Sequence, residues 1–113
     1  MDCIFCKIIN KEIPSEVVFE DDFIYAFKDI NPCAPIHVLI IPKMHIISAN
    51  DINDDNSFVI SHIFKMIPQI AKELGVYGLG YRIVNNCGKD GGQTVGHLHF
   101  HLLGGRNLNW PPG

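Results

Sequence analysis

Between residues 97 and 103 histidine alternates with apolar side chains, His97-Leu98-His99-Phe100-His101-Leu102-Leu103. A period of two is the repeat of a β-strand, so an extended chain here puts three imidazoles on one face and Leu98, Phe100 and Leu102 on the other. Same-face neighbours in a strand lie roughly 6.6 Å apart, so one small substrate or ion can touch two of the rings. The pattern elsewhere assigns the scaffold. Cys3 to Glu12 reads as a short helix that stops before Pro14, because a residue preceding proline is pushed out of helical space. Two segments rich in β-branched and aromatic residues, Glu16 to Glu20 and Phe23 to Phe27, are separated only by Asp21-Asp22 and predict a hairpin. The apolar run Ile36 to Ile41, broken only by His37 and closed by Pro42, predicts a buried central strand. Val59, Ile63, Met66, Ile67, Ile70 and Leu74 recur every three or four residues, which predicts an amphipathic helix over Asp54 to Leu74 with Gly75 as its stop. Pro68 should kink or loosen it, since no amide is left there to bond the carbonyl of Phe64. Gly80 to Asn85 predicts one more strand before the glycine-rich turn 88–96 and the histidine strand. Strands, a long helix and strands again suit an antiparallel α+β sheet better than a parallel βαβ array.

Composition narrows the class. With 113 residues, 47% of them hydrophobic, the chain is expected to form one domain over 1–113. The net charge of −3 and the lack of a basic run argue against nucleic acid as the main partner. No apolar stretch approaches the roughly 18 residues of a membrane span, and no basic leader precedes the first apolar residues. A cytoplasmic protein without a membrane partner is therefore expected. Of the four cysteines, at 3, 6, 33 and 87, only the first two have meaningful spacing, so reduced thiols are expected rather than a disulfide framework.

Two further stretches carry chemistry. In the loop Asn86 to Gly96, glycines let backbone amides approach an anion, and Asn86, Gln93 and Thr94 add side-chain donors. A glycine-rich hairpin connection explains the same composition, but its position directly before three aligned imidazoles supplies both halves of a phosphoryl-transfer site. Cys3 and Cys6 have the spacing of a zinc ligand pair, which His45 and His97 would complete if the fold brings the strand ends together. A redox pair and two ordinary buried thiols are the competing readings. Four protein ligands would make such a site structural. His62, on the predicted long helix, is given no role.

These residues resemble the histidine-triad (HIT) superfamily, Hint-like branch. The resemblance rests on HLHFHLL at 97–103 and GGQTV at 91–95, and extends through Cys3 to Pro14, Phe27 to Ile30, Pro35 to Lys43, Leu103 to Arg106 and Trp110 to Gly113. It implies an α+β HIT fold: a five-stranded antiparallel sheet, one long and one short helix, and a sheet extended across a two-fold homodimer. It also implies hydrolysis of purine nucleoside 5'-phosphoramidates or related adenylates at the α-phosphate, releasing AMP or GMP without a catalytic metal. By the same resemblance His99 is the nucleophile, its ring oriented by the carbonyl of His97, while His101 and Thr94 bind phosphoryl or leaving-group oxygens and help deliver a proton. Asn86, Gly92 and Gln93 line the phosphate, Asp29 and Ile30 meet ribose and base, and Phe5 and His37 lie near the base. Cys3, Cys6, His45 and His97 match a structural zinc site. Thr94 stands where serine is frequent, and Asn109 where a histidine often precedes the tryptophan. Three alternatives remain: a nucleotide-binding regulatory module with little turnover, the dinucleoside polyphosphate or nucleotidyl-transfer branch, and a metal hydrolase using all three triad histidines. The last is disfavoured because no carboxylate joins the strand.

Overall fold

The inner strands of the sheet send alternate side chains to its two faces, each covered by a helix, and that division places the histidines. The structure is a computed structural model and describes residues 3–113. Helix α1 spans Ile4–Ile9, followed by strands β1 (Val17–Glu20), β2 (Ile24–Lys28) and β3 (Ile36–Pro42), helix α2 (Ser57–Glu73), and strands β4 (Tyr81–Val84) and β5 (Phe100–Gly104). The strands lie in the order β1-β2-β3-β5-β4, every neighbouring pair antiparallel. This is the α+β arrangement that the hydrophobic pattern predicts.

Strand β3 is central, and His37 to Pro42 are all buried because both faces are covered. On one face Val38 and Ile40 join Ile24, Ala26, Phe100 and Leu102 beneath α2, which contributes Val59, Ile63, Ile67 and Ile70. On the other, Leu39 and Ile41 join Tyr25 and Phe27 beneath α1, which contributes Phe5 and Ile8. Alternation then fixes the chemistry: with Phe100 and Leu102 under α2, His101 faces the α1 side.

Three boundaries differ from the pattern. Helix α2 starts at Ser57 rather than Asp54, because Asn53 accepts from the amide of Asp55 at 2.8 Å and Asn56 accepts from the amide of Asn53 at 2.8 Å. Short polar side chains here draw backbone groups into a turn. The helix runs through Pro68, which is exposed, so water can serve the carbonyl of Phe64. The histidine strand is regular only from Phe100, which pairs with Ile40. Beyond Ile40, Ile41 and Pro42 pair with β2, and Leu98 instead donates its amide to the carbonyl of Ile46 at 2.6 Å. At the C-terminus Arg82 donates to the carbonyls of Leu108 and Asn109 and lies over the Trp110 ring, tying the tail to β4.

Candidate active site and metal centre

The three triad histidines part company in their hydrogen bonds. His97 is fully buried, and its Nε2 donates to the carbonyl of Pro42 at 2.9 Å. A carbonyl only accepts, so the proton sits on Nε2 and the Nδ1 lone pair is bare. That Nδ1 lies 3.4 Å from Cys3 Sγ, 3.6 Å from Cys6 Sγ and 3.2 Å from His45 Nδ1, and His45 Nδ1 lies 3.3 Å from Cys6 Sγ. The edges of a tetrahedron around zinc, computed from ordinary zinc–sulfur and zinc–nitrogen bonds, are about 3.3–3.8 Å. Two thiols and two imidazoles at these separations fit one tetrahedral ion, and the four ligand atoms all lie within 4.8 Å of one another. Burial, then the neighbouring Cys3 thiol, pushes the Cys6 thiol up to about 11. The three imidazoles do not converge on one ion: His97 turns to the cysteines, and His101 turns to His37.

His99 is buried, and its Nδ1 donates to the carbonyl of His97 at 2.7 Å. Its Nε2 is then the nitrogen with a free lone pair. Phe5 stacks edge-on against His99 at 5.2 Å, against His97 at 5.8 Å and against Phe27 at 5.6 Å. Expected near a base, Phe5 is itself buried, and its visible role is to pack the ring that carries the free nitrogen. Asn85 donates to the carbonyl of His99 at 2.9 Å, replacing a ladder bond that β4 no longer offers beyond Val84. Sequence reading missed Asn85. A polar residue closing a predicted apolar strand was its only signal.

The ring centroids of His99 and His101 are 5.2 Å apart. His101 Nδ1 meets His37 Nε2 at 2.9 Å, and His37 Nδ1 accepts from the backbone amide of Cys33 at 3.0 Å. Asp29 Oδ2 lies 3.4 Å from the same His37 Nε2, while Asp29 Oδ1 accepts from the amide of Asn31. Burial pushes His37 and His97 below their ordinary range, and takes His101 down to about 4 with help from His99 and His37. Ile30, beside Asp29, is 91% exposed.

The loop between β4 and β5 is built by its own polar groups. Asn86 donates to the carbonyl of Gly91 at 2.7 Å, and the Gln93 carbonyl accepts from the amide of Gly88 at 3.1 Å. Gln93 gives its amide hydrogens to the carbonyls of Ile47 and Val95 at 2.8 and 2.9 Å, so its donors hold the loop down. A side chain at Gly91 would overlap the carbonyl of Cys87, and Gly92 has φ +81°, so both positions require glycine. Thr94 is exposed at the end of this loop. His62 lies away from the triad, bonded to Asp21 at 2.6 Å. A cavity of about 550 Å³ lined by Val76, Leu79, Tyr81, Arg82, Arg106 and Leu108 contains none of the site residues.

Comparison with known proteins follows the same pattern. A family model described as the HIT domain matches residues 10–108. A HIT-like protein of Synechococcus elongatus is 48% identical over 112 residues, covering 99% of this chain and 97% of its own length. A HIT family hydrolase from Legionella pneumophila Philadelphia 1 superimposes with a TM-score of 0.96 at 53% identity, covering 99% of this chain and 100% of its own. A histidine triad nucleotide-binding protein from Candida albicans superimposes with a TM-score of 0.81 at 38% identity, covering 97% of this chain and 83% of its own.

Proposed function

This chain belongs to the HIT family, and from that premise we propose that it hydrolyses purine nucleoside 5'-phosphoramidates or related adenylates through a covalent nucleotide on His99. The observation that carries the reading is the 2.7 Å bond from His99 Nδ1 to the carbonyl of His97, which orients the ring and makes Nε2 the nitrogen available for attack. The Legionella relative is named a hydrolase and the Candida relative a nucleotide-binding protein, which supports this class of chemistry.

His99 Nε2 forms a bond to the α-phosphorus as the phosphorus–nitrogen bond breaks. The amine leaves with a proton, and water then attacks phosphorus, returning His99 and releasing AMP or GMP. His101 and Thr94 are assigned the phosphoryl oxygens, and Thr94 with solvent the proton that the amine needs. Asn86, Gly92 and Gln93 shape the loop whose backbone amides face the phosphate; Asp29 takes the ribose hydroxyls, with Ile30, Phe5 and His37 on the nucleoside side.

Cys3, Cys6, His45 and His97 would hold a structural Zn²⁺, which contributes cohesion between α1 and the start of the triad segment. No catalytic metal enters the scheme. We assign the working form to a cytoplasmic homodimer.

Incubation with nucleoside phosphoramidates, dinucleotides and nucleotidyl sugars tests the reading. We expect release of nucleoside monophosphate from the phosphoramidates, and His99→Asn to abolish turnover while AMP still binds. Substantial turnover in His99→Asn removes the nucleophile. Binding without turnover by the wild type makes the protein a regulatory module, and cleavage of dinucleotides alone moves it to the polyphosphate branch.

A further inference from the structure

We infer that the backbone amide of Cys33, acting through His37, locks His101 as the neutral tautomer that carries its proton on Nε2, making His101 a hydrogen-bond donor to the phosphoryl group and not its proton source. A backbone amide can only donate, so the 3.0 Å contact from Cys33 leaves His37 Nδ1 without a proton. The His37 proton is therefore on Nε2, where His101 Nδ1 lies at 2.9 Å and Asp29 Oδ2 at 3.4 Å. His101 Nδ1 accepts it, and the proton of neutral His101 sits on Nε2. Asp29 Oδ2, at the longer 3.4 Å, can only accept from that same His37 proton and leaves the assignment unchanged.

The consequence is a pair of opposite tautomers two residues apart. A carbonyl below His99 fixes the proton on Nδ1 and bares Nε2; an amide behind His37 fixes the proton of His101 on Nε2. With the ring centroids 5.2 Å apart, a nucleophile stands beside a donor on one face. The chain is a lock and not a wire. If His101 gave up its Nε2 proton and took one from His37, His37 would be left as an anion facing an amide that does not ionise. Proton delivery to the departing amine then falls to Thr94 and solvent. The same lock also argues against a cation at Asp29, His37 and His101, although their ligand atoms lie within 4.8 Å of one another, since His37 Nε2 is already protonated.

The role at the phosphate rests on the hydrolase reading, whereas the tautomer does not, and nitrogen-15 NMR of the nucleotide-free, histidine-labelled protein at neutral pH reads it directly. The expected pattern is a protonated Nε2 on His101 and a protonated Nδ1 on His99. His37→Leu should let His101 populate the Nδ1–H form and should weaken AMP binding about tenfold, the size of one lost hydrogen bond to a charged group. His37→Gln, whose amide can accept from Cys33 and donate to His101, should restore both. A wild-type His101 protonated on Nδ1, or an unchanged Nε2–H form in His37→Leu, overturns the lock. If the tautomers are as expected but the protein neither binds AMP nor turns over phosphoramidates, the hydrolase reading fails and the lock stands.

Discussion

Burial holds His101 and His37 uncharged, and the free energy of keeping them so depends on pH. His101 is pushed from 6.5 down to about 4, first by desolvation and then by His99 and His37, and His37 is lowered by its burial. Once unfolded, each ring takes a proton near 6.5, so below that pH the unfolded chain binds protons that the folded chain refuses. Stability from these rings is present above 6.5 and is lost as pH falls below it, for His101 down toward about 4. Melting temperature should therefore hold between pH 8 and 7 and fall through the acid window. His101→Asn should make that fall shallower, and identical slopes in the two proteins would remove His101 as its cause.

Helix α1 is six residues long, too short to be stable alone. Phe5 and Ile8 bury one side of it, and the thiol of Cys3 caps its first turn by accepting from the amide of Cys6. A metal at Cys3, Cys6, His45 and His97 would fasten this helix to the residue whose carbonyl orients His99. Cys3→Ser with Cys6→Ser should lower the melting temperature clearly yet leave folded protein with reduced, measurable turnover. Elemental analysis comes first: wild-type protein from metal-replete expression should hold one zinc per chain. Its absence, or a disulfide between Cys3 and Cys6 in freshly prepared protein, would end the zinc assignment.

At the scale of the molecule, the sheet ends on β4, whose four residues are half-buried and pair with β5 alone. An unpaired apolar edge is a template for another strand, and exposed Tyr77 and Leu79 stand just ahead of it. A second copy added at this edge would continue the sheet across a two-fold axis. Sedimentation should give twice the chain mass of 12.7 kDa at micromolar concentration. A monomer throughout that range would reject the extended sheet. Among the described residues no helix is long and apolar enough to cross a membrane.

Periodicity determined most of the scaffold. Alternation at 97–103 separated three imidazoles from a core face, the run Ile36 to Ile41 foretold a strand covered on both sides, and the three-and-four spacing of Val59 to Leu74 foretold α2. Each is a local repeat matched to the geometry of one element, so it is legible without knowing what packs against it. The spacing of Cys3 and Cys6 likewise marked a candidate ligand pair, which His45 and His97 were expected to complete if the strand ends met. Tertiary structure decided the rest, because it depends on which ends of the elements meet. It brought His45 and His97 onto the cysteines, and it ended regular pairing at Phe100, so that the three triad rings serve separate partners. It also turned the Gln93 amide hydrogens toward backbone carbonyls. The partners that fix where the histidine protons sit are mostly backbone groups, at Cys33, Pro42 and His97. Every residue except proline carries the same amide and carbonyl, so no sequence pattern marks the few that a fold will aim at an imidazole.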